Sequence, residues 1–283
     1  MESSLLSIDL GNTSLKAVVW QGTRVVATLR LLHDETVIDP HFARAAATCR
    51  AVVGVASHGV RERMPACLRV LLDVTAQGAS GSDVSRGDVR GGDVQANEIP
   101  VNDVGNEPKR VQASWVGTDI EPPGIVAYDD PAQLGLDRRV ASWGAHVEHG
   151  AALILDCGTA VTLTHIDEAG TMHGLAIGAG LEAMRSGLAA RAPALAPFFG
   201  GQVPEGLPRS SSDNLAIGIE VAFVGAIREL HADALRRLRA AGITAGVLLV
   251  TGTDGERVAR DFAHGRYVRG LVHRGLRALS ARS

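Results

Sequence analysis

The chain has 283 residues, 46% of them hydrophobic, and a formal net charge of -3 at pH 7. Such a chain can bury a large core in one large domain or in two of moderate size. The weak negative charge and the scattered arginines create no basic field, which argues against direct contact with nucleic acid. No apolar run is long enough to cross a bilayer and no signal peptide is recognisable, so we expect a cytoplasmic protein that does not contact membranes.

The three cysteines, Cys49, Cys67 and Cys157, are widely separated in the sequence. Their odd number and their spacing fit neither a disulfide framework nor a zinc site. We therefore expect reduced thiols in or near the core.

The first part of the chain alternates short strand-like runs with turn residues. Residues 5–10, 14–20 and 24–31 are rich in Val, Ile and Leu, which predicts a meander of three strands. A helix around residues 41–48 and a buried strand over 51–56 follow, so the pattern is α/β. Residues 75–112 are poor in large apolar side chains and repeat an Asp-Val unit, which predicts a mobile surface insertion.

The strand pattern restarts in the second part of the chain. The stretch "LILDCGTAVTLTHID" repeats the arrangement of "LSIDLGNTSLKAVVW", and Asp156 falls where Asp9 falls. Apolar residues at helical spacing predict a long helix over residues 214–241, followed by a strand over 247–250. The sequence therefore predicts two α/β lobes built on similar hairpins, with a first domain over 1–127 and a second over 128–283.

The first of the two repeated turns has the composition of a phosphate-binding loop. It places an Asp at the end of a strand and then a Gly, an Asn and a Thr: Asp9, Gly11, Asn12 and Thr13. Glycine allows backbone N–H groups to approach a ligand, the neutral side chains donate to phosphate oxygens, and the carboxylate would need a bridging cation. Lys16, on the same strand face as Ser14, supplies a positive charge. A structural hairpin explains one copy equally well, but two copies favour polyphosphate binding; neither a P-loop nor a dinucleotide fingerprint is present.

The segment "YDDPAQLGLDRR" carries the residues that phosphoryl transfer to an alcohol requires. Leu134 to Arg138 is predicted to begin a helix, with Asp137 near its start. A carboxylate there can accept the hydroxyl proton, Arg138 can hold a substrate oxygen or phosphate charge, and Tyr128 can line the pocket. The alternative is that Asp137 only interacts with the helix dipole and that Arg138 is a solvated surface charge.

These motifs resemble those of known families. "DLGNT" and "DCGTAVT" resemble the phosphate 1 and phosphate 2 motifs of the acetate and sugar kinase, Hsp70 and actin superfamily, and residues 128–145 resemble the Y-x-x-P-x-x-L-G-x-D-R segment of type III pantothenate kinases. The resemblance covers nearly the whole chain apart from 75–112. It implies an α/β fold of two ribonuclease H-like (actin-like) lobes with nucleotide in the cleft between them, and a homodimer whose site the neighbouring subunit completes. The implied activity is ATP-dependent phosphorylation of pantothenate to 4'-phosphopantothenate, the first step of coenzyme A biosynthesis.

The resemblance also implies the residues of the site. The nucleotide would contact Asp9, Leu10, Gly11, Asn12, Thr13, Ser14, Leu15, Lys16, Thr159 and Gly252. Pantothenate would contact Tyr128, Gly135, Leu136, Asp137, Arg138 and the residue at position 213, and Asp137 would be the catalytic base. Magnesium would accompany ATP, and a monovalent cation, K⁺ or NH₄⁺, would bind near Asp156.

The sequence departs from the family pattern at three positions. Ala179 stands where proline is expected, and Thr253 replaces the second glycine of a T-G-G. Asp213 stands where a Thr would contact the substrate, and a carboxylate there would repel the carboxylate of pantothenate.

Two other functions stay open at this point. One is a non-enzymatic accessory factor in gene expression, as in the Bvg accessory factor-like proteins of this family. The other is a different small-molecule kinase or phosphatase of the superfamily, such as a sugar kinase or an exopolyphosphatase. The L-G-x-D-R segment favours pantothenate, whereas Asp213 leaves room for a different acceptor.

Overall fold

The computed structural model describes residues 4–56, 66–69, 71–72 and 113–282. The predicted insertion over 75–112 lies outside these ranges. The chain forms two compact units, Met1–Trp115 and Val116–Ser283. Among the described helices, none has the length and apolar character that crossing a membrane requires.

The first unit is a five-stranded sheet with helices. Its strands are β1 (Ser4–Leu10), β2 (Ser14–Gln21), β3 (Arg24–Leu32), β4 (Ala51–Ala56) and β5 (Ala113–Trp115). They are paired in the order β3-β2-β1-β4-β5. The first three strands form the predicted antiparallel meander, and β4 and β5 continue the sheet in parallel from β1. Residues 66–69 and 71–72 are also helical. The helix α1 (Pro40–Ala47) lies between β3 and β4 in the sequence.

Local chemistry explains where α1 begins. Asp39 precedes the helix, and its side chain accepts a hydrogen bond of 3.0 Å from the N–H of Phe42. Pro40 occupies the first helical position, where its missing N–H costs nothing. The cap orients the helix so that Phe42 is buried against the sheet.

The second unit has a six-stranded sheet made of β6 (Ile125–Val126), β7 (Ala152–Cys157), β8 (Ala160–Ile166), β9 (Thr171–Ala179), β10 (Val247–Thr251) and β11 (Arg266–Tyr267). These strands are paired in the order β11-β10-β7-β8-β9-β6. Helices pack against it, and two short 3-10 helices, Pro131–Gln133 and Pro193–Phe198, connect elements. The helices of this unit are α2 (Leu136–His149), α3 (Leu181–Arg191), α4 (Ser211–Ala240), α5 (Gly255–Ala259) and α6 (Leu271–Ser280).

Both sheets have the same topology. Strands β7 to β11 are paired as β9-β8-β7-β10-β11, which repeats the order β3-β2-β1-β4-β5 of the first unit. In each unit three antiparallel strands are followed by two parallel ones, the ribonuclease H-like arrangement. The predicted fold class of two actin-like α/β lobes is therefore confirmed.

The boundary between the units differs from the predicted one at residue 127. Strand β6 pairs in parallel with β9, Ile125 with Thr171 and Val126 with Met172. Residues 116–127 therefore fall in the second unit, and Ile125 and Ala127 donate from their N–H groups to the carbonyl oxygens of Gly170 and Met172. A strand of two residues has no hydrophobic pattern that could have revealed this pairing.

Helices α2 and α6 pack on each other through two glycines. A Cβ atom on Gly144 would lie 2.7 Å from the backbone nitrogen of Gly275, and one on Gly275 would overlap the carbonyl oxygen of Val140. The two helix backbones are thus in direct contact. Glu148 at the end of α2 accepts hydrogen bonds from Arg274, at 2.9 Å, and Arg277, at 3.4 Å, of α6.

All three cysteines are buried free thiols, as expected. Burial raises the pKa of Cys49 and of Cys157 to about 12. These thiols therefore stay protonated and unreactive at neutral pH.

A buried histidine makes the stability of the second unit depend on pH. His165 is fully buried, one of its ring nitrogens lies 3.0 Å from the carbonyl oxygen of Thr244, and burial lowers its pKa below the ordinary 6.5. As the pH falls below 6.5, the unfolded chain binds a proton before the folded one does. The free energy of unfolding should therefore decrease until the pH reaches the lower pKa of the folded state.

The substitution His165→Gln should reduce this dependence on pH, measured by denaturant unfolding at neutral and mildly acidic pH. The readout is the difference between the two conditions, because the substitution itself can lower stability at both. His231, whose pKa burial also lowers, supplies a remaining part of the dependence. Equal differences in the variant and the original chain would contradict the assignment to His165.

Candidate active site

The first phosphate turn joins β1 to β2. Asp9 and Lys16 are cross-strand partners, so their side chains leave the same face of the sheet. The N–H of Gly11 donates to the carbonyl oxygen of Ser14 at 3.0 Å, and this bond closes the turn. A ring nitrogen of His33 lies 2.9 Å from the carbonyl oxygen of Gly11.

Both backbone polar groups of Gly11 are therefore engaged inside the protein. Because its N–H group closes the turn, it is not available as a donor to a ligand. The two exposed residues of the turn, Asn12 and Thr13, hold the positions from which a phosphate can be approached. Leu10, Ser14 and Leu15 are buried beside them and anchor the turn in the sheet.

The second phosphate turn has the equivalent position in the second unit. Asp156 is near the end of β7, paired with Thr162 of β8 on one side and Thr251 of β10 on the other. Paired residues of adjacent strands point to the same face, so a carboxylate and two hydroxyl side chains form a row across three strands. The N–H of Gly158 donates to the carbonyl oxygen of Ala160 at 3.0 Å, which closes this turn.

Two glycines pack directly on the second turn. Gly180 donates from its N–H to the carbonyl oxygen of Thr159 at 3.1 Å. A Cβ on Gly180 would lie 2.6 Å from that same oxygen. Gly252 has a φ of +92°, and a Cβ there would overlap the carboxylate of Asp156.

The loop after β10 is also tied to the turn through its backbone. The N–H of Asp254 donates to the carbonyl oxygen of Cys157 at 2.9 Å. Thr159 is exposed at the tip, between Gly180 and this loop. The structure therefore brings together Asp156, Thr159 and Gly252, three of the residues predicted for nucleotide and cation binding.

The predicted catalytic carboxylate is exposed at the start of α2. The helix begins at Leu136, after Gly135 as its cap residue. One carboxylate oxygen of Asp137 accepts from the N–H of Arg138 at 2.9 Å. A Cβ on Gly135 would lie 2.6 Å from this oxygen, so glycine provides the space that the carboxylate occupies.

Arg138 and Tyr128 meet the sheet at a β-bulge. The pairing of β8 with β9 shifts between Leu163 and Thr164. There, Arg138 Nε donates to Thr164 Oγ1 at 2.9 Å and its Nη2 donates to the carbonyl oxygen of Leu163 at 2.8 Å. The hydroxyl of Tyr128 packs on Gly174, where a Cβ would overlap it.

Arg138 and Tyr128, both predicted to contact the substrate, therefore contact the sheet at this bulge. Thr164 and Thr162 are two positions apart on β8 and lie on the same face of the sheet, which is also the face of Asp156. Arg138 is thus held on the face that carries the row of oxygen side chains. Two of its donors are used by β8, which orients the guanidinium.

Asp213 lies in the first turn of α4, and Ser210 is the N-cap residue of this helix. Its N–H donates to Ser210 Oγ at 3.1 Å, and its carboxylate accepts from the N–H of Arg209 at 2.8 Å. These bonds resemble a capping box, in which side chains at both ends of the first turn satisfy backbone donors. The hydrogen bonds from Arg209 and Ser210 lower the pKa of Asp213. Asp213 therefore has a structural function at the start of α4.

Replacing Asp213 by Ala should lower the thermal midpoint and leave the KM for the acceptor substrate nearly unchanged, because its carboxylate accepts the hydrogen bond from the N–H of Arg209 just before α4. Ser210→Ala is the matched variant and should cost about 1 kcal/mol, as for a lost N-cap. Thermal unfolding and steady-state kinetics check both. A large rise in KM for Asp213→Ala with an unchanged midpoint would show instead that this side chain contacts the substrate.

Several residues of the site were missed in the sequence. His33, Gly174 and Gly180 contact the predicted motifs only after the chain has folded, because their partners are distant in sequence. Thr162 and Thr251 lie beside Asp156 because of the register between the strands, which cannot be read from a sequence.

The sequence is similar to those of known proteins. A family model described as type III pantothenate kinase matches residues 94–233. The type III pantothenate kinase of Aromatoleum aromaticum is 31% identical over 230 residues, which cover 80% of this chain and 78% of the relative. That of a Synechococcus species is 35% identical over 157 residues, 54% of this chain and 62% of the relative.

A solved structure supports the fold. A Campylobacter jejuni protein assigned to the Baf family of transcriptional activators matches with a TM-score of 0.50 and 17% identity over 98% of both chains. This likeness concerns the fold alone. The alignment with the Aromatoleum relative extends over most of both sequences, and from it we conclude that the chain belongs to the type III pantothenate kinase family.

Proposed function

We propose that this chain is a pantothenate kinase that transfers the γ-phosphoryl group of ATP to the primary hydroxyl of pantothenate. The observation that supports this most is the exposed carboxylate of Asp137 at the start of α2, in a member of this family. Arg138 follows it and is oriented by β8. The products are 4'-phosphopantothenate and ADP, so the reaction opens coenzyme A biosynthesis.

Asp137 is the proposed proton acceptor. As the hydroxyl oxygen of pantothenate forms its bond to the γ-phosphorus, the bond from that phosphorus to the β,γ-bridging oxygen breaks and ADP leaves. The hydroxyl proton passes to the Asp137 carboxylate and then to solvent, to which this side chain is exposed. Tyr128, packed on Gly174, and Leu136 are the proposed walls of the acceptor pocket.

The two turns are the proposed phosphate sites. Asn12 and Thr13 of the first turn and Thr159 of the second are exposed and carry neutral donors, and Lys16 adds a positive charge. Gly252 lets the loop after β10 lie against the second turn.

The oxygen donors of the turns fit the cations that this chemistry uses. Asp9 offers the single carboxylate that Mg²⁺ with nucleotide phosphates usually takes. For K⁺ or NH₄⁺, Asp156 offers a carboxylate in a row with two threonine hydroxyls. Within the described ranges, no three His, Cys, Asp or Glu side chains form a metal cluster, so these sites would rely on hydroxyl and phosphate oxygens. Bound cations would offset phosphate charge.

A homodimer is part of the proposal. The exposed large apolar side chains of the second unit include Ile177, at 69% on β9, and Val221, at 65% on α4. On α4, Cβ atoms at Gly218 and Gly225 would meet open space. A second copy of this chain is the proposed cover for these residues, in keeping with the family resemblance.

The test is phosphorylation of pantothenate by purified protein with Mg-ATP, with and without K⁺ or NH₄⁺, followed by mass spectrometry. We expect 4'-phosphopantothenate, and more of it when a monovalent cation is present. Sugars and polyphosphate in parallel reactions test the other activities of the superfamily. A folded protein that binds nucleotide but forms no 4'-phosphopantothenate under any of these conditions would overturn the proposal.

A further inference from the structure

One arginine joins three elements beside the second phosphate turn. Arg257, on α5, donates from Nη1 to the carboxylate of Glu220 on α4. Its Nη2 lies 4.0 Å from a carboxylate oxygen of Asp254, in the loop after β10. Its guanidinium carbon lies 5.3 Å from the ring centroid of Phe223, which is fully buried. Glu220 and Phe223 are three residues apart on α4, so one helix face holds the guanidinium through both.

From Arg257 the contacts lead directly to the candidate site. The N–H of Asp254 donates to the carbonyl oxygen of Cys157 at 2.9 Å. Two residues earlier, Gly252 packs on Asp156. The loop that carries Gly252 and Asp254 is therefore bonded to the second phosphate turn through its backbone. Its Asp254 carboxylate lies within ion-pair distance of Arg257, which is itself bonded to Glu220 of α4.

The charge of Arg257 also acts on this region. Asp156 and Asp254 put two carboxylates near a turn that is proposed to hold phosphate. The pKa of Cys157 reflects the balance: burial raises it most, the charges of Asp156 and Asp254 raise it further, and Arg257 lowers it. Arg257 thus reduces the negative potential that an approaching triphosphate would meet.

We propose that Arg257 is a positioning residue for the nucleotide, which holds the Gly252–Asp254 loop at the spacing that the second phosphate turn needs for ATP. This inference rests on the proposed function, since it assumes that this turn binds ATP phosphate. Arg257 acts through Asp254. Because its side chain is 39% exposed, the ion pairs add little to global stability, and the effect falls on nucleotide affinity.

The test compares Arg257→Met with Arg260→Met. Arg260 lies three residues further along, is 78% exposed and is 3.9 Å from Glu256, so its loss controls for removing a charge from the same region. Calorimetry measures the Kd for Mg-ATP, kinetics measures the KM for ATP and for pantothenate separately, and thermal unfolding without nucleotide measures stability. Arg257→Lys keeps the charge and tests for rescue.

For Arg257→Met we expect a Kd for Mg-ATP about tenfold weaker, with an unchanged KM for pantothenate and a nearly unchanged thermal midpoint. Arg257→Lys should regain most of the affinity, and Arg260→Met should bind as the original chain does. Glu220→Gln, which removes a partner of Arg257, should show a smaller loss of the same kind.

Equal Mg-ATP affinity in Arg257→Met and the original chain would overturn the inference, as would an equal loss in Arg260→Met. A loss in Arg257→Met that appears only together with a collapsed thermal midpoint would also overturn it, because Arg257 would then be merely structural. If the original chain binds Mg-ATP but does not phosphorylate pantothenate, the proposed function fails while this inference stands. If it does not bind Mg-ATP, both fail.

Discussion

Replacing Asp137 by Asn should lower the kcat for pantothenate phosphorylation roughly a hundredfold to ten-thousandfold, the range for a lost general base. Asn is nearly isosteric and can still accept the hydrogen bond from the N–H of Arg138, so α2 should begin at the same residue. It cannot take up the hydroxyl proton. Affinity for Mg-ATP and thermal stability should therefore stay close to those of the original chain.

Asp129→Asn is the matched control for this variant. Asp129 is an exposed carboxylate in the same segment, eight residues before Asp137, and it is not assigned to the reaction. Its substitution removes one negative charge without removing the proposed base. Steady-state kinetics and calorimetry on both variants decide the matter. Unchanged kcat in Asp137→Asn, or an equal loss in Asp129→Asn, would show that Asp137 is not the proton acceptor.

Replacing Gly252 by Ala should damage both stability and nucleotide binding. The residue has a φ of +92°, which costs a side chain about 1–3 kcal/mol. The new Cβ would lie 2.5 Å from the backbone of Cys157 and would overlap the Asp156 carboxylate. Overpacking of this kind costs about 1–3 kcal/mol more. The loop must move away from the second phosphate turn, so we expect Mg-ATP affinity to fall more than tenfold.

Gly242→Ala separates the two causes. Gly242 has a φ of +71°, but a Cβ there meets no atom within 4 Å. This control should carry the backbone cost alone and should keep its affinity for Mg-ATP. Denaturant unfolding and calorimetry on the pair measure the difference. If Gly252→Ala binds Mg-ATP as well as Gly242→Ala does, the contact between Gly252 and Asp156 has no bearing on the nucleotide.

The regular part of the fold was predictable because its signals are local. Turn residues separate the apolar runs of both meanders, and the predicted strand over 51–56 coincides with β4. Asp39 and Pro40 mark the start of α1. The repeated Asp-x-Gly turns also pointed to two copies of one unit, which the strand orders confirm.

The contacts that assemble the site were not predictable in the same way. Arg138 reaches Leu163 at a bulge, and neither the bulge nor the distance of 25 residues between them has a pattern in the sequence. The pairing of Asp156 with Thr162 and Thr251 depends on register between strands. The contacts of Asp213 do have a local signal, since Ser210 precedes it at the spacing of a capping box.

Because α2 and α6 are in close contact but far apart in the sequence, α2 cannot finish packing until α6 has been synthesised. The helix that carries Asp137 is held by contacts such as that between Glu148 and Arg274, which are 126 residues apart. During synthesis, α2 emerges from the ribosome long before α6, and until then one side of α2 lacks its cover. The carboxylate that is proposed to drive the chemistry therefore reaches its final setting only after most of the second unit has been translated.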